Sequence, residues 1–280
     1  MNDDGLFGPG SVTWRLHVEP ILWIGGVRAL YLQALHPVVM RGTYQNSVLF
    51  DRKRAWKRFL RTVHFVAIRS YGTCAEVEAV AARVRAAHAA LTGFDPDTGR
   101  LFRLDDPEAL AWVHCAEIGS YLDVARRSGA VTDSEADRYV AENRAAARII
   151  GITAPMPSDQ AELAGYFGDM RARLRVVPEA RRAVLRSFLP PMPVHLLPLR
   201  LTVPAINALA FASLPGWARW MYGVPALPGT DTVTTGQLRA IRLASRLVNR
   251  ADTAELIERS RRDAHAMADG SYRSIMDSWW

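Results

Sequence analysis

The chain has 280 residues, 49% of them hydrophobic, with 35 Lys and Arg against 28 Asp and Glu and a formal net charge of +7. The length suits one large domain or two small ones, and the apolar share is ample for a sizeable core. The charge admits a nucleic acid or a membrane surface as partner. A general richness in arginine is the preferred account, because the basic residues are spread along the chain, no run of five like charges occurs, and no aromatic–basic signature of nucleic-acid binding is present. No nucleic-acid partner is expected.

Apolar periodicity stays near the helical 3.6 almost throughout, and strand signals are nearly absent, so an all-α protein is expected. It is expected to form a single compact multi-helix domain over 1–280, with its core in about 20–225 and C-terminal helices within 234–268. "MNDDGLFGPGS" is too acidic and Gly-rich for a signal peptide. Pro20 precedes a first helix whose Val27, Leu30, Tyr31, Ala34 and Leu35 form one stripe. His36-Pro37 ends or kinks it, since a residue before proline disfavours the α region. An apolar segment, 38–49, runs to a polar turn at Asp51, and a helix over about 52–70 follows, with Gly72 after it. Thr73 then has Glu76 three residues on, the capping-box pattern, which opens a helix over 74–92 closed by Gly93.

Residues 93–107 carry turn residues and are expected as a loop, with a short extended piece at 100–104. Pro107 suits the first turn of a helix over 107–128. Ser134 is expected to cap a helix from 133 to about 150, and Ser158 one from 159 to about 175. Prolines at 178, 190, 191, 193, 198, 204, 215, 225 and 228 punctuate the next stretch. Within it, "LTVPAINALAFASL" (201–214) is shorter than the roughly 20 apolar residues of a membrane span and is expected as a buried helix. Helices over about 234–248 and 253–268 follow. The tail "SYRSIMDSWW" offers Trp279 and Trp280 to the domain, to a partner or to lipid. Cys74 and Cys115, the only cysteines, are far apart and match no metal spacing. With no disulfide framework, a reducing, cytoplasmic setting is expected, with at most a peripheral membrane contact.

The chain lacks a Gly-rich phosphate loop, HExxH, paired ExxH motifs and a GxSxG elbow. What remains is histidine and arginine set in apolar helices. His88 flanks the stripe Val77, Val80, Val84, Ala87 and Leu91, with Arg85 three positions earlier on the same side. It is either a core-edge histidine satisfied by a carbonyl or a ligand. Arg58, Arg61, Thr62 and Phe65 share one face of their helix. They are either a solvated face or a polar pocket for an anion or an oxygen species, because arginine stabilises anions but is a poor base. His114 and Glu117 are placed to hydrogen-bond, fixing a tautomer or pinning helix packing. His36 suits a local cap. His17, His64, His195 and His265 carry no supporting pattern.

Taken in order, "ALYLQALHPVVMRGTYQNS", "RFLRTVHFV", "RVRAAHAALTG", "DPEALAWVHCAEIGSYL" and "LPGWARWMYG" resemble the oxygenase family that includes the latex-clearing rubber oxygenases and the membrane-bound oxygenase of mycophenolic acid biosynthesis. The resemblance spans roughly 20–225. It implies an all-helical fold, haem b with its iron, dioxygen, and an apolar, unsaturated small molecule cleaved at a double bond. By that resemblance His88 matches the proximal haem ligand and Arg85 the arginine before it. Arg58 and Thr62 match the distal pair that supports oxygen chemistry. His36 and His114 count as further cofactor-lining candidates. Arg61 stands where the rubber enzymes have a distal lysine, and arginine essentially never gives up its proton to ligate iron. The resemblance therefore implies a water or an open position there. A b-type haem brings four nitrogen ligands, so one axial histidine suffices. An arginine such as Arg85 could pair with a propionate. The competing expectation is a non-enzymatic helical module for a hydrophobic ligand or a membrane surface, motivated by 189–228 and the Trp pair. No electron donor is legible.

Overall fold

The computed structural model describes residues 3–47, 54–188, 202–225, 227–248 and 252–272. The turn at Asp51, the prolines at 190–198, His195, Trp279 and Trp280 lie outside them. The fold is all-α, with thirteen α-helices and one two-stranded hairpin among the described residues.

A short helix that periodicity does not reveal, α1 (Val12–His17), begins at Ser11, whose hydroxyl accepts from the Trp14 N–H at 3.1 Å. Glu142, far along the chain, accepts from the backbone N–H groups of Val12 and Thr13. Together these satisfy donors that a helix start leaves open. Then come α2 (Leu22–Gln33) and α3 (Pro37–Asn46), broken at His36-Pro37 as the proline rule requires. The buried face of α2 differs from the expected stripe. Leu30 is 42% exposed, while Arg28 is buried and donates to the Ser120 hydroxyl and the Ser213 carbonyl.

The central pair is α2 with α6 (Pro107–Ser128). Asp106 caps α6 by accepting from the Ala109 N–H, and Gly129 ends it in the left-handed region. The two helices approach closely because α2 carries Gly25. A Cβ there would lie 2.9 Å from the Tyr121 ring and 3.2 Å from its Cα. Leu16, Ile21, Leu32, Leu35, Trp112 and Ile118 build the main core around this contact.

A hairpin arm splays from this centre, formed by α4 (Ala55–Tyr71) and α5 (Cys74–Ala90). The Thr73–Glu76 capping box forms as expected. Leu91, not Gly93, ends α5. Gly93 lies instead in a strand, β1 (Thr92–Asp95), which pairs antiparallel with β2 (Arg100–Arg103). The Phe102 ring packs on Gly93 so closely that a Cβ would clash at 2.3 Å, so the glycine serves strand packing rather than helix termination. Arg41, buried on α3, anchors this hairpin through Asp95 and Asp97.

Next come α7 (Asp133–Ile149), α8 (Gln160–Met170) and α9 (Pro178–Ser187). The first starts at 133 as expected, but the caps of both lie one or two residues from those expected. Thr132, not Ser134, makes a capping box with Glu135, and Asp159, not Ser158, caps α8. A 3-10 turn, Arg171–Arg173, follows α8, which ends short of the expected 175. The expected buried helix over 201–214 is α10 (Thr202–Ala212), and it is a surface helix. Only Asn207 and Ala210 are buried, so its apolar sequence covers one side of the core and leaves the other open. The remaining helices are α11 (Gly216–Met221), α12 (Thr230–Val248) and α13 (Thr253–Asp269), the last lying along α4. No helix among the described residues is long and apolar enough to cross a membrane.

Gly25→Ala forces the α2–α6 pair apart at a backbone contact that cannot yield cheaply. The expected loss is about 1–3 kcal/mol of unfolding free energy in urea, the usual cost of overpacking. An unchanged unfolding midpoint would show that the close approach is not required.

Candidate functional site

Both helices of the α4–α5 arm are buried near the turn that joins them and lose cover away from it. On α4, Ile68, Arg69, Ser70 and Tyr71 are buried, Arg58, Phe59 and Leu60 are half-buried, and Arg61 and Thr62 are exposed. On α5, Val77 and Ala81 are buried, while Val84, Arg85 and His88 further along are half-buried, and Ala87 is exposed. The expected stripe on α5 is thus packed only at its first turns. We call the less covered end of the arm the wedge; it carries Arg58 and Thr62 on α4 and His88 on α5.

A hydrogen bond joins two of these three, and charge links the third. Arg58 Nη1 donates to Thr62 Oγ1 at 2.7 Å, the i,i+4 contact that the sequence spacing allows. Burial, then the charge of Arg58, lowers the pKa of His88, which keeps the imidazole neutral. The His88 ring makes no hydrogen bond to a described residue. It is therefore not satisfied by a carbonyl, and a ring nitrogen is available as a donor of electrons. Its backbone carbonyl accepts from the Leu91 N–H, which closes the helix.

Arg85 does not turn toward His88. Its guanidinium bonds the Ile149 carbonyl at the end of α7 and the Glu78 carboxylate at 2.5 Å. Any partnership with a propionate would require giving up these bonds. Two residues that sequence reasoning passed over are closer to His88. Arg103 on β2 donates to the Ala89 carbonyl at 3.2 Å and pairs with Asp105, whose carboxylate pulls the His88 pKa up against burial and Arg58. The extended piece expected at 100–104 is β2 and carries Arg103, but neither its pairing with β1 nor its reach back to α5 was foreseen.

His36 stands at the N-cap of α3, but its side chain makes no capping bond. It is buried, its Nδ1 has no partner, and its Nε2 lies 3.7 Å from Glu108. Burial pushes its pKa down to about 4 against the pull of Asp106. It lines an open pocket of about 530 Å³ together with Phe102, Arg103, Asp105 and Glu108. This pocket abuts the last turn of α5 through Arg103, so His36 belongs to the His88 side of the molecule.

His114 belongs elsewhere. Glu117 does not bond it. The carboxylate is held instead by a bidentate pair with Arg69, at 2.6 and 3.1 Å. Burial opposes ionisation of Glu117, but the Arg69 guanidinium outweighs it and holds the carboxyl below the usual range. Both His114 ring nitrogens are buried without a partner, and burial, then Arg69, pushes this imidazole down to about 4. His17, which carried no sequence pattern, joins the network through Ser70 Oγ at 2.8 Å and Tyr139 OH at 3.1 Å. Burial, then Arg69, drives it down to about 3. Arg69 also lies over the Phe65 ring at 5.5 Å. The spacing 58, 62, 65, 69 continues the polar face of α4 into the core, a signal that could have found Arg69. His64 and His265 meet Tyr272 and Glu76 on or beside α13. Among the described residues no group of three or more His, Cys, Asp or Glu could hold a metal ion.

A family model described as ER-bound oxygenase mpaB/B'/rubber oxygenase, catalytic domain, matches residues 14–249. No curated protein and no solved structure matches the chain.

Two measurements test the buried network. Arg69→Met leaves Glu117 charged and unpaired, and the expected loss is about 3–5 kcal/mol in urea unfolding. A loss under about 1 kcal/mol would contradict a desolvated pair. His17, His36 and His114 are held neutral when folded but titrate near the ordinary 6.5 when unfolded. Below that pH the unfolded chain binds more protons, so stability falls as the pH drops from about 6.5 toward 4. The urea midpoint is expected to be lower at about pH 5 than at about pH 7; equal midpoints would contradict the burial of these rings.

Proposed function

The chain belongs to the mpaB/rubber oxygenase catalytic-domain family, and from that premise we propose that it is a haem b-dependent oxygenase acting on an apolar, unsaturated small molecule. The observation that carries the haem assignment is His88: a half-buried, neutral imidazole with no hydrogen-bond partner among the described residues, near enough to Arg58 for that guanidinium to lower its pKa. The donor set fits the group. A porphyrin needs one axial nitrogen and an apolar slot. Val84 beside His88, and Phe59, Leu60 and Phe65 on α4, supply part-covered apolar surface. Haem b, when bound, supplies dioxygen activation at its iron.

The protein's own part is positioning and charge. His88 would hold the haem iron through its ring nitrogen. Arg58 brings guanidinium donors to the same end of the arm, and its bond to Thr62 fixes their direction before the reaction begins. Donors fixed in advance stabilise negative charge developing on an oxygen without reorganising. Arg61, exposed on the same helix, adds permanent positive charge but no ligand. The pocket beside His36 offers an apolar wall in Phe102 and Val38 near the His88 end of α5.

Protein supplemented with haem b is expected to show a Soret band. His88→Ala is expected to lose it, or to bind haem more weakly by more than the roughly tenfold that an outer-shell change costs. Arg58→Ala is expected to keep the band and shift its ligand-bound spectrum. Wild type and His88→Ala with the same spectrum, or a folded wild type that takes up no haem, would overturn the assignment.

A further inference from the structure

Helix α12 is amphipathic, but it is turned around. The side facing the core carries Thr234, Leu238, Arg242 and Ser245. Thr234 and Leu238 are the buried residues, and Arg242 is held by Glu19. The side facing away carries Val233, Gly236, Gln237, Ala240, Ile241, Leu243, Ala244, Leu247 and Val248, all exposed and all but Gln237 apolar. The large ones are not marginally open: Val233 is 61% exposed, Leu243 62%, Leu247 72% and Val248 85%. Just before the helix, Trp220, Val224 and Leu227 are exposed as well. Single exposed apolar residues mean little, but a continuous stripe along a whole helix marks a surface that meets something.

The charge beside the stripe selects the occupant. Between 232 and 248 the helix holds Arg239, Arg242 and Arg246 and no acidic residue. Arg242 and Arg246 share one carboxylate, Glu19. Arg239 bonds only the Arg127 carbonyl and has no carboxylate partner among the described residues. The flank of the stripe therefore keeps a positive excess. A second copy is a poor match, because a two-fold interface sets a patch against itself and would bring these arginines face to face. An apolar stripe flanked by arginine instead matches an anionic lipid surface, with leucines in the acyl boundary and guanidinium groups at the headgroups.

We propose that α12 docks the protein peripherally on anionic membranes, with Leu243 and Leu247 as the inserted residues and Arg239 as the headgroup contact. This stands apart from the chemistry proposed for the α4–α5 wedge and survives its failure. The test uses the full chain with vesicles of phosphatidylcholine, alone or with about one third phosphatidylserine, together with light scattering in solution. Wild type is expected to sediment with the anionic vesicles and not the neutral ones, and to be released by about 1 M salt. The Leu243→Asp, Leu247→Asp double variant, changed only at exposed positions, is expected to bind at least about tenfold more weakly. Arg239→Gln is expected to bind about fivefold more weakly, a second readout that leaves the apolar stripe whole. The proposal is overturned if folded wild type ignores anionic vesicles. It is equally overturned if the double variant binds as wild type does, or if wild type is a dimer that the double variant dissolves.

Discussion

One buried ion pair decides where the arm leaves the body of the molecule. Arg69 and Glu117 join α4 to α6, the guanidinium buried and the carboxylate largely so, and each is held chiefly by the other. Around them His17, Ser70, Tyr139 and Trp14 bond in a chain that brings α1 and α7 to the same point. The pair is a demanding way to fix a helix, since an apolar contact would cost less in desolvation. It does supply direction. A bidentate guanidinium–carboxylate contact tolerates little rotation, and Arg69 lies on the face of α4 that carries Thr62 and Arg58 further along. The orientation set in the core thus determines which way the wedge residues point.

Helices were legible because their apolar positions recur, and their starts because capping has a local signature, as Thr73 with Glu76 illustrates. The errors of two residues at Thr132 and one at Asp159 arise because several capping residues stand side by side in "VTDSE" and "PSDQAE", and only packing chooses among them. The strand at 92–95 was not legible. Its pairing depends on Arg41 holding Asp95 and Asp97 from a distant helix, and on Phe102 covering Gly93. Nor was the exposure of α10, whose sequence is apolar on all sides although only one side is needed. Of the candidate site, the Arg58–Thr62 contact follows from helical spacing alone. The turning of Arg85 toward Ile149 does not, because its partners lie on another helix. The Arg69–Glu117 pair was hidden for the same reason, and the nearer His114 was the residue that sequence spacing favoured for Glu117.

The wedge and the network divide the histidines by what surrounds them. His88 and His36 sit at open ground near the hairpin, whereas His17 and His114 sit in the closed core beside a cation. All four are kept uncharged, but for different ends. In the core a protonated ring would add a second positive charge next to Arg69. At the wedge a neutral ring keeps a lone pair available. Membership of an oxygenase family and the lack of a ligand cluster among the described residues are then compatible, since a cofactor with its own four nitrogens asks the chain for only one.

The way α5 is held has a mechanical consequence. Its first turn is fastened by Thr73 and Glu76, and its last by Leu104 donating to the Leu91 carbonyl and Arg103 to that of Ala89. Between these supports only Val77 and Ala81 are pressed into the core. Such a helix is a beam fixed at both ends and tied once along its span, by Arg85 to the Ile149 carbonyl. A body placed against the middle is taken up by a small bow, distributed over several turns, rather than by breaking a joint. His88 sits close to the far support, where a bowed beam moves least. The imidazole can therefore stay in register with the hairpin while the rest of the span adjusts to the shape of whatever rests against it.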